Sequence, residues 1–303
     1  MNVKKLLIAF SLFVVAASTQ STFAQGLNWE GQTGAVLTPF AYTAASPAHK
    51  FGKPEVAFHY LNAGNVIGND YQFSITEGFG KRFEAGLTQS FSSGGKTGLS
   101  PVFAGGYSTL HGKLTVVPEN VKKTKWVPAI AVGAVGRFDN HRVNWYLTAP
   151  YAGPGYPTET SGDFYIVATK TITQLKVPII LNFGEKLTNA SISGVIGQAG
   201  NGMNTDQRWQ GRLFGAAAFA IKGPAKSVLA FGSEAAQQPR YVQPLGNIAT
   251  IPTTLSYFIS VIPHMEGSPL RFDVAVIQAA GKINPELDLN VRARVGAGVS
   301  YHF

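Results

Sequence analysis

The sequence predicts an all-β fold, a transmembrane antiparallel up-and-down barrel of about twelve strands, with ten to fourteen as the range; three observations predict it. The last seventeen residues, Leu287 to Phe303, carry an apolar side chain at every odd position and a polar, charged or glycine residue at every even one. Successive side chains of a strand point to opposite faces, so this segment has one apolar and one polar face. Strands of soluble proteins run to about 5 or 6 residues, whereas a strand that crosses a bilayer needs roughly 9 to 11. Composition agrees: 45% hydrophobic and 14% charged residues give a mean hydropathy of only +0.07, because alternation averages out. The absence of cysteine removes a disulfide framework, leaving ladder hydrogen bonds and packing to hold the chain. A closed barrel provides both, since every backbone group finds a neighbour and no edge remains.

The N-terminus predicts the compartment. Lys4 and Lys5 precede the apolar run Leu6 to Ala17, and small residues follow at Thr22 and Ala24. This is the pattern of a secretory signal peptide over residues 1–24, cleaved near Ala24-Gln25. Its apolar run is too short for the roughly 20 residues of a membrane-crossing helix. With Phe303 at the C-terminus, preceded by Tyr301 and Val299, the chain resembles the bacterial outer-membrane β-barrel proteins, porin-like in character. The resemblance implies that Val299, Tyr301 and Phe303 form the signal read by the barrel-assembly machinery, and that the setting is outer-membrane lipid and lipopolysaccharide.

Walking the chain, alternating segments separated by Gly, Pro, Asn and Ser fall near 54–61, 70–77, 82–91, 99–117, 126–138, 163–183, 189–197, 212–222, 227–235, 254–262, 270–278 and 286–303. Short links at 78–81, 118–125, 184–188, 223–226 and 263–269 alternate with longer ones, as short periplasmic turns alternate with longer external loops. Segment 163–183 changes parity between Ala168 and Val177, and we read a β-bulge near Thr171 to Gln174 in preference to a tight hairpin. The predicted lipid faces include Val56, Phe58 and Tyr60; Tyr71, Phe73 and Ile75; Phe83, Leu87 and Phe91; Tyr257, Ile259 and Val261; and Phe272, Val274 and Val276. The barrel is thus assigned to residues 54–303. Residues 25–53 precede it and read as an extra strand, a periplasmic extension or a lumenal plug. Their Thr33-Gly34 and Thr38-Pro39 faintly resemble the opening of exopolysaccharide-export-associated barrels, which implies a surface-binding or export-complex role as the alternative to a channel.

On this parity the lumen receives Glu55, His59, Arg82, Glu84, Arg137, Arg212, Arg271, Asp273, Asp288, Arg292 and Arg294. Bases outnumber acids there, which predicts mild anion preference in a water-filled pore; pairing between neighbouring strands is the alternative. The formal charge of +9 drops to +7 once Lys4 and Lys5 are removed. No Lys/Arg stripe interleaved with aromatics occurs, so nucleic acid is not an expected partner. The six histidines, His49, His59, His111, His141, His264 and His302, are scattered outside any Ser- or Asp-containing hydrolytic pattern, and no enzyme is expected. No cofactor or metal is expected either, without cysteines or paired histidines at ligand spacing. The run Gly194 to Gly202 lacks the Lys-Ser/Thr ending of a phosphate loop and reads as a strand top entering an external loop. Lys122, Lys123 and Lys125 beside Trp126 form a basic turn on the periplasmic side. The function expected is passive diffusion of small solutes, with selectivity set by Arg137, Arg212, Arg292 and Arg294.

Overall fold

The computed structural model describes residues 26–97, 100, 106–121, 124–138, 160–190, 209–242, 248–250, 252–263, 270–278, 280–282 and 288–303. The predicted signal peptide, the glycine-rich run 194–202, His141, His264, Lys122 and Lys123 lie outside them. The first nine strands are β1 (Glu55–Asn62), β2 (Gly68–Phe79), β3 (Phe83–Gly94), β4 (Ser108–Val117), β5 (Ala129–Phe138), β6 (Ser161–Ile172), β7 (Ile179–Thr188), β8 (Gln210–Lys222) and β9 (Val228–Ala236). A short helix α1 (Gly64–Ile67) joins β1 to β2. The strands β10 (Arg240–Val242) and β11 (Ile248–Thr250) form one small hairpin, and β14 (Ala280–Lys282) and β15 (Asp288–Val291) another. The remaining wall strands are β12 (Thr254–Ile262), β13 (Leu270–Gln278) and β16 (Arg294–His302).

Twelve strands close into one antiparallel barrel: β1 to β9 in sequence, then β12, β13 and β16, which pairs back onto β1. The seam runs Glu55↔His302, Phe58↔Val299 and Leu61↔Gly296. No helix among the described residues is long and apolar enough to cross a membrane. The strands themselves are of membrane-crossing length, and their outward faces are apolar. Phe73, Leu110, Phe164, Phe183, Tyr257, Val274 and Val295 are all exposed there. Such a belt in water would be a severe liability, and in hydrocarbon it is the solvent-matched surface. The fold is that of an outer-membrane-type barrel, and the connections alternate in length, so the barrel has a short-turn end and a long-loop end. Chain residue Phe303 lies at the short-turn end, where its amide donates to the Pro54 carbonyl at 3.2 Å.

Three strand expectations are corrected. The parity change in 163–183 is a tight hairpin, not a bulge: β6 stops at Ile172 and β7 returns from Ile179, paired Ile172↔Ile179. The predicted short link 184–188 is therefore the upper part of β7. Strand β7 pairs directly with β8, and most of the strand predicted at 189–197 lies outside the described residues, which resume at 209. The terminal segment is also two strands. Asn290 and Ala293 adopt positive φ (53° and 46°), which breaks the ladder and leaves β15 outside the barrel. The alternation survives in β16, where Val295, Ala297, Val299 and Tyr301 point outward and Gly296, Gly298 and Ser300 inward.

Candidate functional site in the barrel lumen

The lumen is occupied. Residues 26–44 are buried almost without interruption, with Leu27, Asn28 and Ala41 fully so. They lie inside the wall as a compact loop with its own backbone bonds. Trp29 N–H donates to Val36 at 2.8 Å, Phe40 to Thr33 at 3.0 Å, and Gly34 to Gly26 at 3.0 Å. The Asn28 side-chain oxygen accepts from the amides of Glu30 and Gln32, which makes the reversal at Trp29–Gly31. Gly31 sits at φ +84°, and a Cβ there would stand 2.4 Å from Thr88 Oγ1, so both conformation and contact require glycine. The segment enters and leaves by the short-turn end: Leu27 N–H reaches Ser300 Oγ, and Gly52 N–H reaches the Gly78 carbonyl.

Many polar groups of this segment meet one from the wall, while Asn28 is satisfied within the segment itself. Glu234 accepts from the amides of Val36 (3.0 Å), Leu37 (3.0 and 3.1 Å) and Thr38 (2.7 Å) and from the Thr38 hydroxyl (2.8 Å). Three consecutive backbone N–H groups converging on one carboxylate form an anion-binding nest. Glu84 accepts from the Thr33 amide, the Thr33 hydroxyl and the Ala44 amide, and pairs with Lys113 at 2.8 Å. Lys113 also donates to the Thr33 carbonyl. Trp29 Nε1 donates to Asp70, which also accepts from Gln72 and Ser92. Near the long-loop end Arg137, fully buried, is gripped by Glu30 of the segment (2.5 Å) and Asp163 of the wall (2.8 Å). Near the short-turn end Tyr42 shares its hydroxyl with Thr171 (2.7 Å) and Glu119 (3.0 Å). Burial, helped by the Glu119 charge, holds that phenol well above its ordinary pKa.

Apolar packing completes the closure. Trp29, Val36, Leu37, Phe40 and Tyr42 pack with the inward faces of β5 to β8, including Ala129, Ala131, Val135, Val167 and Phe214. A gap between segment and wall, lined by Glu30, Gln32, Asp163, Lys186, Gln238 and Thr254 among others, has a volume of about 30 Å³, room for roughly one water.

The candidate residues named from sequence separate into two groups. Arg137, Arg271, Glu55 and His59 are buried in the lumen. Arg271 pairs with Asp273 at 2.9 Å and donates to the Gly34 carbonyl at 3.1 Å. His59 sits 5.0 Å from the Trp29 ring, with Nε2 at 3.2 Å from the Leu27 carbonyl. Arg212 donates to the Gln238 carbonyl at the long-loop end. Arg292 and Asp288, by contrast, are an exposed ion pair outside the barrel strand, placed there by the break at Asn290–Ala293. Arg294 is held against the Asn290 carbonyl at 3.0 Å, and Arg82 lies in the turn before β3. Among the described buried residues the expected excess of lumenal bases is not found. Lys113, Arg137, Lys186 and Arg271 face Glu55, Asp70, Glu84, Asp163, Glu234 and Asp273, of which Asp70, Asp163 and Glu234 escaped sequence reasoning. Among the described residues no group of His, Asp and Glu is arranged for a metal. The hydroxyl nearest His111, that of Thr76 at 3.3 Å, already donates to the Gly31 carbonyl.

No family model and no curated protein matches the chain. Among solved structures it is similar to the KdgM porin (7% identity, 82% of this chain and 99% of that one, TM-score 0.43) and to the NanC porin (8% identity, 82% and 98%, TM-score 0.44). It is also similar to Wzi of Escherichia coli, described as a carbohydrate-binding β-barrel involved in group 1 capsule assembly (10% identity, 80% and 54%, TM-score 0.30). Likeness at this level assigns no function to the chain.

Proposed function

We propose that the protein is a porin-like barrel of the bacterial outer membrane, held shut by residues 26–45, through which small solutes pass only when that segment leaves the lumen. The observation that carries this reading is the Glu234 nest on Val36–Thr38, together with the Glu84 and Arg137 contacts: wall side chains take the segment's backbone amides, the Thr33 and Thr38 hydroxyls and the Glu30 carboxylate. Without these partners the same buried amides, hydroxyls and charges would each carry a desolvation cost. The same contacts tie it by discrete polar latches, which water can replace when the segment withdraws toward the short-turn end. The reading carries no anion preference, because the wall bases are matched by wall acids. It involves no enzymatic step, since the lumenal histidines meet backbone carbonyls and engaged hydroxyls.

Deletion of residues 26–45 from the mature chain tests it in a planar bilayer. The shortened barrel is expected to conduct steadily with weak ion selectivity, while the full chain stays closed for most of the record. Equal conductance from both proteins would overturn the reading.

A further inference from the structure

The outward face of β7 alternates Leu181, Phe183, Glu185 and Leu187, and Glu185 is exposed among them. Among the described strands no other charged side chain faces outward away from the strand ends. Glu77 and Lys170 face outward but sit two residues from the short-turn ends of β2 and β6. A carboxylate in the hydrocarbon belt is unfavourable without a hydrogen-bond donor, and no described residue supplies one to Glu185.

The wall beside Glu185 is hollow. Gly112 and Ala134 floor a cavity of about 780 Å³ between Leu114, Val132, Phe164 and Ile166. A second hollow of about 550 Å³ continues it toward the long-loop end over Gly136 and Gly162. The adjoining sector has the opposite relief. Phe58, Tyr60, Tyr71, Phe73 and Phe91 form a ridge of ring contacts, with Phe58–Phe73 at 4.8 Å and Tyr71–Phe91 at 5.0 Å. The Tyr71 hydroxyl meets no described residue. Tyr71 lies three residues from the long-loop end of β2, and Glu185 three residues from the long-loop end of β7.

We propose that ridge and furrow are the two halves of a contact between copies of this chain, with Tyr71 of one copy donating to the Glu185 carboxylate of the next. A free donor and a free acceptor stand at matching levels, one on a projecting aromatic face and one beside a recess. Because the two patches occupy different sectors of the barrel, the contact is head-to-tail, ridge of one copy to furrow of the next. The inference rests on the outward face being lipid-exposed and is independent of what residues 26–45 do.

The test uses the full mature chain in liposomes; it contains no cysteine of its own. Protein carrying Phe73→Cys is mixed with protein carrying Leu187→Cys and treated with a short bifunctional thiol reagent. A cross-linked dimer is expected in at least fivefold excess over the control pair Ile259→Cys with Leu187→Cys, which places the cysteine near the exposed Tyr257 instead. Glu185→Leu in the second protein should remove that excess and Glu185→Gln should keep it, with folding verified by heat-modifiable migration. Equal yield from the control pair, an excess indifferent to Glu185→Leu, or protein monomeric at every lipid ratio with only lipid in the furrow would each overturn the proposal.

Discussion

Glu234→Ala is the sharpest perturbation of the lumenal closure. In the parent, Glu234 takes the amides of Val36, Leu37 and Thr38 and the hydroxyl of Thr38 at 2.7 to 3.1 Å. Hydrogen bonds to a charged group contribute roughly 1.5 to 3 kcal/mol each, and orphaned buried donors cost about 1 to 3 kcal/mol. In the variant the four donors remain buried but lose their acceptor, whereas with the segment withdrawn they are hydrated in either protein. Relaxation and an entering water recover part, so the docked state weakens by about 4 kcal/mol, roughly a thousandfold in the docking equilibrium. The assay is maleimide labelling of Ala41→Cys in folded, membrane-inserted protein. Ala41 is fully buried against Thr169, three residues beyond the nest and making no contact with Glu234 through its own amide, and is reached when the segment leaves. Labelling in the Glu234→Ala background is expected to accelerate by two to three orders of magnitude, with Glu234→Gln intermediate because one oxygen still accepts. An unchanged labelling rate with unchanged barrel folding would refute the latch.

Other expectations follow from the same contacts. Arg137→Leu strips Glu30 of its buried cation and leaves Asp163 with only Lys186, 3.9 Å away, and should cost about 3 to 5 kcal/mol in urea unfolding; adding Glu30→Gln and Asp163→Asn should restore most of it. Gly31→Val forces a β-branched side chain into φ +84° and onto Thr88, so Ala41→Cys labelling should accelerate while the barrel itself stays folded. Tyr42 has its pKa raised by burial and by Glu119, so its contribution to docking is fully present below the ordinary tyrosine value of 10.0 and is lost above it. Labelling of Ala41→Cys, corrected for thiol ionisation, should therefore rise above about pH 10, and Tyr42→Phe should flatten that rise. In the barrel lacking residues 26–45, Arg292→Gln should leave the reversal potential unmoved, because its guanidinium pairs with Asp288 outside the lumen.

The wall was legible because its outward face has a single requirement, compatibility with hydrocarbon, and that requirement repeats every second residue. Where the repeat falters the reading falters. Ala168 and Val177 differ in parity because a turn, not an extra residue, separates them, and six residues of turn and one bulge leave similar traces in sequence. Asn290 and Ala293 break a flawless alternation, since parity alone carries no information on φ. The lumen was less legible because its polarity is set by residues far away in sequence. Glu234 serves Val36 to Thr38, and nothing local to either segment reveals the other. One signal was present: β5 reads Ala-Ile-Ala-Val-Gly-Ala-Val, apolar on both faces, which suits a wall with lipid on one side and packed protein on the other better than one facing a water-filled pore. Gln25 to Tyr42 complements it, with Glu30 as its one charge among Trp29, Val36, Leu37 and Phe40.

The most direct test of the central claim is disulfide trapping between segment and wall. Ala41 N–H lies 2.7 Å from Thr169 Oγ1, so cysteines at these two positions are near neighbours if residues 26–45 occupy the lumen. The account predicts that the Ala41→Cys, Thr169→Cys protein, isolated from membranes and oxidised, forms the intramolecular disulfide in nearly every folded molecule. It further predicts that the oxidised protein never conducts, and that reduction restores the openings of the parent. Free thiols at both positions, reactive with maleimide in a folded barrel that conducts steadily, would contradict it.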